Sequence, residues 1–319
     1  MSKFLTIGEP IALFGSDEED KSLVAAQKFT KYLAGAEVNV AVGVSRLGHS
    51  TQYVTRLGED PFGEFIENEL IKNDIGTSYI EKTNDFWTAY QLKNRVTKGD
   101  PDIYYFRKGS AAANFNEQIL KSIDWTDIEL VHLSGIFPAI SQKSLSSFNK
   151  LIEMINRNQI TSTFDPNLRP QLWESETEMR DTLNNIAKQA DIILPGINEA
   201  EILVGSNNPE TIADFYLKQS DKTSTVIVKL GAAGAYIKQK GETVGTTIRG
   251  RHVENVVDTV GAGDGFAVGV ITGLLEGIDI KSAVQRGNII GALAVQSSGD
   301  NDGYPYRAQL DTIEREYEP

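Results

Sequence analysis

The sequence predicts an α/β fold with a mostly parallel central sheet and helices on both faces. Two observations carry this. Short apolar runs bounded by Gly, Pro, Asn or Asp recur along the chain, as buried strands do. Between them lie stretches whose apolar residues fall three and four apart, the spacing of one helix face. A third observation adds a smaller element: two segments break the alternation, and one of them reads as an antiparallel hairpin.

Taken in order, residues 4–7 (Phe-Leu-Thr-Ile) read as a strand ending at Gly8, and 52–55 as a second. A helix is expected over 62–72, with Phe65, Ile66 and Leu70 on one face. Strand 130–133 precedes a helix over 144–156 carrying Leu145, Phe148, Ile152 and Ile155. Strand 160–164 precedes a helix over 178–188 carrying Met179, Leu183 and Ile186. Strands 191–194 and 225–229 follow. The crossovers between parallel strands should be right-handed.

The exceptions are residues 10–34, which show no helix–strand pairing to the core, and 85–108. The latter runs Phe86-Trp87-Thr88-Ala89-Tyr90-Gln91-Leu92, turns through Thr97-Lys98-Gly99-Asp100-Pro101-Asp102, and returns as Ile103-Tyr104-Tyr105-Phe106. Aromatic strands around a Gly- and Pro-bearing turn make a hairpin. It does not belong inside a parallel core, so it reads as a small sheet projecting from one edge. That sheet is a candidate lid, with a surface excursion of no function as the equal alternative. No repeat or flexible linker divides the chain, and residues 1–319 are expected to form one domain.

Composition excludes several classes. Of 319 residues, 40% are hydrophobic and 24% charged, which fits a globular chain and not a disordered or collagen-like one. Cysteine is absent, so disulfides, thiolate nucleophiles, Cys–zinc sites and iron–sulfur clusters are out. His49, His132 and His252 make no metal-binding spacing. With 31 basic and 44 acidic residues the net charge is −13, against nucleic-acid binding, which needs a basic surface. The start, Met1-Ser2-Lys3-Phe4-Leu5-Thr6-Ile7-Gly8-Glu9, does not read as a signal peptide. No apolar run approaches the ~18 residues of a membrane span. A cytoplasmic protein without a membrane partner is expected.

The strongest chemical signal is Asp258-Thr259-Val260-Gly261-Ala262-Gly263-Asp264-Gly265-Phe266. A strand-like stretch is expected to end near Val257, and a helix to run from near Asp264 to Gly277. Gly261 and Gly263 allow a tight turn and close approach to a ligand. The unpaired N–H groups of the first helical turn then favour an anion, especially phosphate. A carboxylate at Asp264 repels that phosphate unless it accepts a proton from a hydroxyl attacking it. An N-cap Asp on a glycine-rich turn is the competing reading. Other phosphate motifs fail. Phe266 stands where a dinucleotide fingerprint needs its third Gly, and no Gly-Lys dipeptide exists for a Walker A loop. A dinucleotide-binding dehydrogenase is therefore disfavoured.

These residues resemble the C-terminal signature of the ribokinase-like sugar kinases, the PfkB family. Ala34-Gly35-Ala36-Glu37-Val38-Asn39 is similar to the family's Gly-Gly-x-x-x-Asn pattern, with Ala34 in place of the first Gly. Asn198-Glu199-Ala200-Glu201 is similar to its Asn-x-x-Glu motif, and Lys229-Leu230-Gly231-Ala232-Ala233-Gly234 to its nucleotide loop. The resemblance covers essentially the whole chain in order. It implies a three-layer α/β/α sandwich with a small β-sheet lid, its segments being about 10–34 and 85–108. It implies ATP and Mg²⁺, with Asp264 as catalytic base and the N–H groups of Gly261, Ala262 and Gly263 as an anion hole. It gives Asn198 and Glu201 to Mg²⁺, through water, and Asn167, Asn198, Lys229, Gly231, Gly234 and Asn288 to the nucleotide together with the glycines of the anion hole. It also allows a monovalent cation beside Asp258.

For the second substrate, Arg107 and Arg169 offer planar forks suited to a carboxylate, with surface ion pairs as the alternative. Tyr-Tyr-x-Arg-Lys-Gly-Ser-Ala (104–111), His132-Leu133-Ser134-Gly135-Ile136, Phe164-Asp165-Pro166-Asn167-Leu168-Arg169 and Gly299-Asp300-Asn301-Asp302-Gly303 resemble the 2-keto-3-deoxygluconate kinases within the family. That resemblance implies phosphorylation of a sugar acid held by Gly35, Asn39, Tyr90, Tyr105, Arg107 and Arg169, with Asp300 or Asp302 as a further contact. A kinase for a neutral sugar such as fructose, and a non-catalytic sugar-binding regulator, are the alternatives. The apolar faces of the hairpin imply a homo-oligomer formed through the lid.

Overall fold

The structure, a computed structural model, describes residues 4–99, 101–297 and 299–317. Met1, Ser2 and Lys3 of the expected start and Asp100 of the expected turn lie outside the described residues. In chain order the elements are β1 (Phe4–Ile7), β2 (Ile11–Glu19), β3 (Phe29–Ala34), α1 (Ala36–Arg46), β4 (Thr51–Gly58), α2 (Pro61–Lys72), β5 (Ile75–Thr83), β6 (Tyr90–Arg95) and β7 (Ile103–Phe106). Then come β8 (Leu130–Ser134), α3 (Ile136–Ala139), α4 (Gln142–Arg157), β9 (Thr161–Asp165), α5 (Glu176–Ala187), β10 (Ile192–Ile193), α6 (Ile197–Val204) and α7 (Pro209–Lys218). The chain ends with β11 (Thr225–Lys229), β12 (Gly234–Gln239), β13 (Thr246–Arg249), α8 (Ala262–Leu275), α9 (Ile280–Ala294) and α10 (Arg307–Tyr317).

Among the described residues nine strands form the main sheet, in the order β13-β12-β11-β10-β9-β8-β1-β4-β5. From β11 to β5 every pairing is parallel; β12 and β13 add on antiparallel. The period of two sorts each strand between two cores. Leu5, Ile7, Val131 and Leu133 pack with α4, α5, α6 and α7, while Phe4 and Leu130 pack with α1, α8 and α9. Apolar clusters on the two faces of one sheet make three layers, as expected from the alternation of elements, and a third cluster of Val38, Ala41, Tyr53, Leu57, Ile66 and Leu70 joins α1, β4 and α2.

The strand order also fixes where a ligand can sit. From β1 the chain fills the sheet outward through β4 and β5, then returns to the other side of β1 with β8 and continues outward to β11. The direction reverses between β1 and β8. In open α/β sheets a crevice opens at such a point, beyond the carboxyl ends of the strands.

The second sheet has the order β3-β2-β6-β7, with β2–β3 and β6–β7 antiparallel and β2–β6 parallel. The first hairpin strand starts at Tyr90 and not at Phe86. Residues 86–89 anchor the hairpin instead: Thr88 N–H donates to Asp60 Oδ2 (2.7 Å), and Thr88 Oγ1 accepts from Gly58 N–H (2.9 Å). One further expectation is corrected. Among the described residues no strand ends near Val257: β13, the strand before α8, ends at Arg249, 251–257 is loop, and Val256 and Val257 are exposed.

Candidate active site

A cavity of about 420 Å³ lies beyond the carboxyl ends of β1, β8, β9 and β11, roofed by the inner face of the second sheet. Its floor is set by α8. Gly261 stands at φ +79°, and a Cβ there would lie 1.8 Å from the Asp300 carbonyl oxygen, so only glycine fits. Ala262 N–H turns to the Thr259 carbonyl (3.4 Å). Among the described residues no acceptor takes the N–H of Gly263 or Asp264, leaving two donors at the start of the helix. Gly261 N–H, just before the helix, is likewise without an acceptor among the described residues, so of the expected Gly261, Ala262 and Gly263 only Ala262 is engaged.

Asp264 Oδ2 accepts from the Asn39 side-chain amide at 2.8 Å, and Asn39 Oδ1 accepts from Asn301 at 2.9 Å. Burial pushes Asp264 up to about 7; the Asn39 hydrogen bond opposes this rise and the nearby Asp165 carboxylate adds to it. A carboxyl poised near neutrality is suited to accept a proton. Lys229, at the end of β11, pairs with Asp165 at 2.5 Å. Burial alone would lower Lys229, but Asp165, Glu199 and Asp264 outweigh it and hold the ammonium above its ordinary value.

Two carboxyl groups the sequence reading passed over complete the other wall. Glu9, fully buried just after β1, accepts from Arg107 Nε (2.6 Å) and from Ser110 Oγ (2.7 Å). Glu37, in the first turn of α1, has a buried Oε1 without a hydrogen-bond partner. Burial pushes it up to about 7, its own backbone N–H opposing and Asp264 adding to the rise.

A family model described as pfkB family carbohydrate kinase matches residues 1–307. The chain belongs to the PfkB family of carbohydrate kinases. It is 44% identical over 308 residues to 2-dehydro-3-deoxygluconokinase of Bacillus subtilis (strain 168), covering 96% of this chain and 93% of that protein. Among solved structures, a PfkB protein from Polaromonas sp. JS666 superposes with a TM-score of 0.87 at 38% identity, over 98% of this chain and 99% of the other. A ribokinase II from E. coli in complex with ATP and Mg²⁺ superposes at 0.86 with 27% identity, over 99% and 100%. The three-layer fold and the separate small sheet are those of the family, and the chain is a carbohydrate kinase.

In this PfkB kinase the cavity brings together Gly35 and Asn39 from the start of α1, Tyr105 and Arg107 from the small sheet, and Asn167 and Arg169 from the loop after β9. Lys229, Gly261, Gly263 and Asp264 face them. Asp300 lines the wall and Asp302 is exposed.

Other expected residues are elsewhere. Tyr90 points to the outer face of the second sheet, stacked on Phe106 with ring centroids 4.5 Å apart. Strand alternation turns its neighbours Gln91 and Lys93 inward, with Tyr105 opposite Gln91. Asn198 and Glu201 are both exposed on α6 and do not line the cavity; Glu199 does. Two helical positions amount to about 200°, so Glu199 and Glu201 cannot share a face. Glu199 accepts from Leu168 N–H (2.8 Å) and Gly196 N–H (2.7 Å). Gly231 and Gly234 lie off the wall; a Cβ at Gly234 would meet the Ile248 carbonyl at 2.1 Å, so its glycine serves the close approach of the start of β12 to the end of β13. Asn288 donates to the Ile248 (3.3 Å) and Arg249 (3.1 Å) carbonyls, tying α9 to β13. Parity with Tyr105 was the available signal for Gln91 and Lys93; Glu9 had only its place after a central strand.

Among the described residues no three His, Asp or Glu side chains cluster to hold a metal ion. The oxygen donors near the phosphate end are Asp165 and Glu199, the first already paired with Lys229. No helix among the described residues is long and apolar enough to cross a membrane.

Proposed function

We propose that this kinase transfers the γ-phosphoryl group of ATP to the terminal hydroxyl of 2-keto-3-deoxygluconate, giving the 6-phosphate. The observation that carries the reading is one cavity holding Asp264 together with Arg107 and Arg169, in a chain 44% identical to a protein named 2-dehydro-3-deoxygluconokinase. Asp264 takes the hydroxyl proton as oxygen attacks phosphorus. The N–H groups of Gly263 and Asp264, with Lys229, meet the charge on the phosphate oxygens. Mg²⁺ would neutralise phosphate charge, and Glu199 would hold it through water, in place of Asn198 and Glu201. Asn39 orients the base, Gln91 and Tyr105 bind sugar hydroxyls from above, and the small sheet acts as a lid that excludes water. The aromatic outer face of that sheet pairs with a second copy, and the enzyme works in the cytoplasm.

A second reading has its own observation. Glu9 neutralises Arg107 at 2.6 Å, leaving less positive charge for a carboxylate and favouring a neutral sugar such as fructose. The deciding experiment is a panel of sugar acids and matching neutral sugars with MgATP. Turnover confined to the acids supports the first reading, and equal or better turnover of neutral sugars supports the second. Absence of turnover with every sugar would leave a sugar-binding regulator.

A further inference from the structure

Lys93 is a cation that the reading above leaves without a task. It sits on β6 two residues after Gln91, so strand alternation turns it into the cavity, which it lines together with Gly261, Gly263 and Asp264. Its ammonium reaches across from the small sheet to Asp258 Oδ2, at 3.4 Å. Asp258 opens the phosphate-binding loop, and its other oxygen accepts from Val260 N–H (3.0 Å).

The other cations on the cavity wall are committed. Arg107 is held by Glu9 at 2.6 Å and Lys229 by Asp165 at 2.5 Å, while Arg169 donates to the Leu168 carbonyl at 2.8 Å. Lys93 has the longest of these contacts, and its partner Asp258 is 28% exposed. Six carboxyl groups and four cations line the cavity among the described residues, so an incoming triphosphate enters an acid-rich site. A weakly held ammonium beside the anion-binding helix start is the charge most easily transferred to it.

We propose that Lys93 is a catalytic cation delivered by the small sheet, leaving Asp258 to contact the phosphoryl group during transfer. In that step the sugar oxygen–phosphorus bond forms, the bond to the ADP oxygen breaks, the hydroxyl proton passes to Asp264, and ADP leaves. Charge on the equatorial oxygens is met by the Lys93 ammonium from one side and the Gly263 and Asp264 N–H groups from the other. The inference rests on the kinase chemistry and not on the identity of the sugar.

The test compares Lys93→Met and Lys93→Arg with wild type, using whichever sugar the wild type phosphorylates fastest. Lys93→Met should lower kcat about 10²-fold while both KM values stay within about threefold, and Lys93→Arg should recover part of the loss. Titration calorimetry with MgADP alone should give the wild-type affinity for Lys93→Met, whereas MgADP with aluminium fluoride, a phosphoryl mimic, should bind more weakly. Unchanged kcat, or a rise confined to the sugar KM, overturns the proposal. So does equal weakening of MgADP with and without aluminium fluoride. Matching thermal melts for the variants exclude misfolding as the cause.

Discussion

Asn39 donates a 2.8 Å hydrogen bond to Asp264, although the two lie 225 residues apart at the starts of different helices. The bond favours the ionised carboxylate, whereas burial favours the protonated form, and burial prevails, raising the group to about 7. A carboxyl group balanced in this way is sensitive to both pH and its amide partner.

Asp264→Asn should therefore nearly abolish phosphoryl transfer. General-base assistance is worth about 10²–10⁴-fold, and the cavity's other contacts to ATP remain. In wild type, kcat/KM should rise about tenfold per pH unit below a limb near pH 7 and level off above it. A profile flat from pH 5 to 8, or an Asn variant with most of its turnover, would remove Asp264 from the role of base.

Asn39→Ala removes the group that holds Asp264 down. The limb should move to higher pH, with activity at pH 6 falling more than activity at pH 9. The Asn301 amide also loses its acceptor, at a stability cost of about 1–3 kcal/mol. A uniform loss at every pH would show that Asn39 acts only through packing.

The six strands β1, β4, β8, β9, β10 and β11 were legible because buried parallel strands are short continuous apolar runs; β5, β12 and β13, at the sheet's two edges, were not. Asp264 and Gly261 were legible because a helix start approached by another backbone allows few residue types. The second sheet was harder. Its outer aromatics, Tyr90 and Phe106, advertise a strand more loudly than the inward Gln91 and Lys93, so the wrong face drew attention. On α6, Asn198 and Glu201 matched a spacing, but spacing alone does not say which face of a helix meets the cavity; Glu199 differs from Glu201 by a rotation no motif records. Glu9 had only its place after a central strand and Glu37 no local signal, since their burial is set by distant chain segments.

Glu37 gives a stability prediction. Its native value of about 7 exceeds the ordinary 4.5, so the folded state holds the proton more tightly than the unfolded one. Stability is fully present below about pH 4.5 and is lost as pH rises through 7. At pH 8 the burial of the charged form costs up to about 3 kcal/mol. Glu37→Gln should raise Tm at pH 8 and leave it nearly unchanged at pH 4.5. Equal shifts at both values would mean that Glu37 is already ionised when buried.

The outer face of the small sheet bears Tyr104, 62% exposed, beside the stacked Tyr90 and Phe106, with Trp87 52% exposed nearby. Sedimentation at micromolar concentration should show an oligomer, and Tyr104→Glu should shift it toward monomer. A monomeric wild type would leave the sheet without the proposed partner.

The two arginines should behave differently, because only one is held by a buried carboxylate. Arg107 is 11% exposed and Glu9 fully buried, so Arg107→Ala strands Glu9 and should destabilise the fold by about 3–5 kcal/mol. The double change Glu9→Gln with Arg107→Ala should recover much of that stability without recovering sugar affinity. Arg169 donates to its neighbour's carbonyl at 2.8 Å, and no ion pair to it is formed among the described residues, although its charge helps to hold Asp264 down. Arg169→Ala should leave Tm nearly unchanged and raise KM for the sugar acid by an amount equivalent to about 2–5 kcal/mol, with little effect on KM for ATP. Arg169→Lys should restore only part, since an ammonium lacks the planar fork. Steady-state kinetics with both substrates varied, alongside melts of each variant, separates the two effects. If Arg169→Ala weakened neutral-sugar and sugar-acid turnover equally, the carboxylate would have no partner there and the neutral-sugar reading would replace the first.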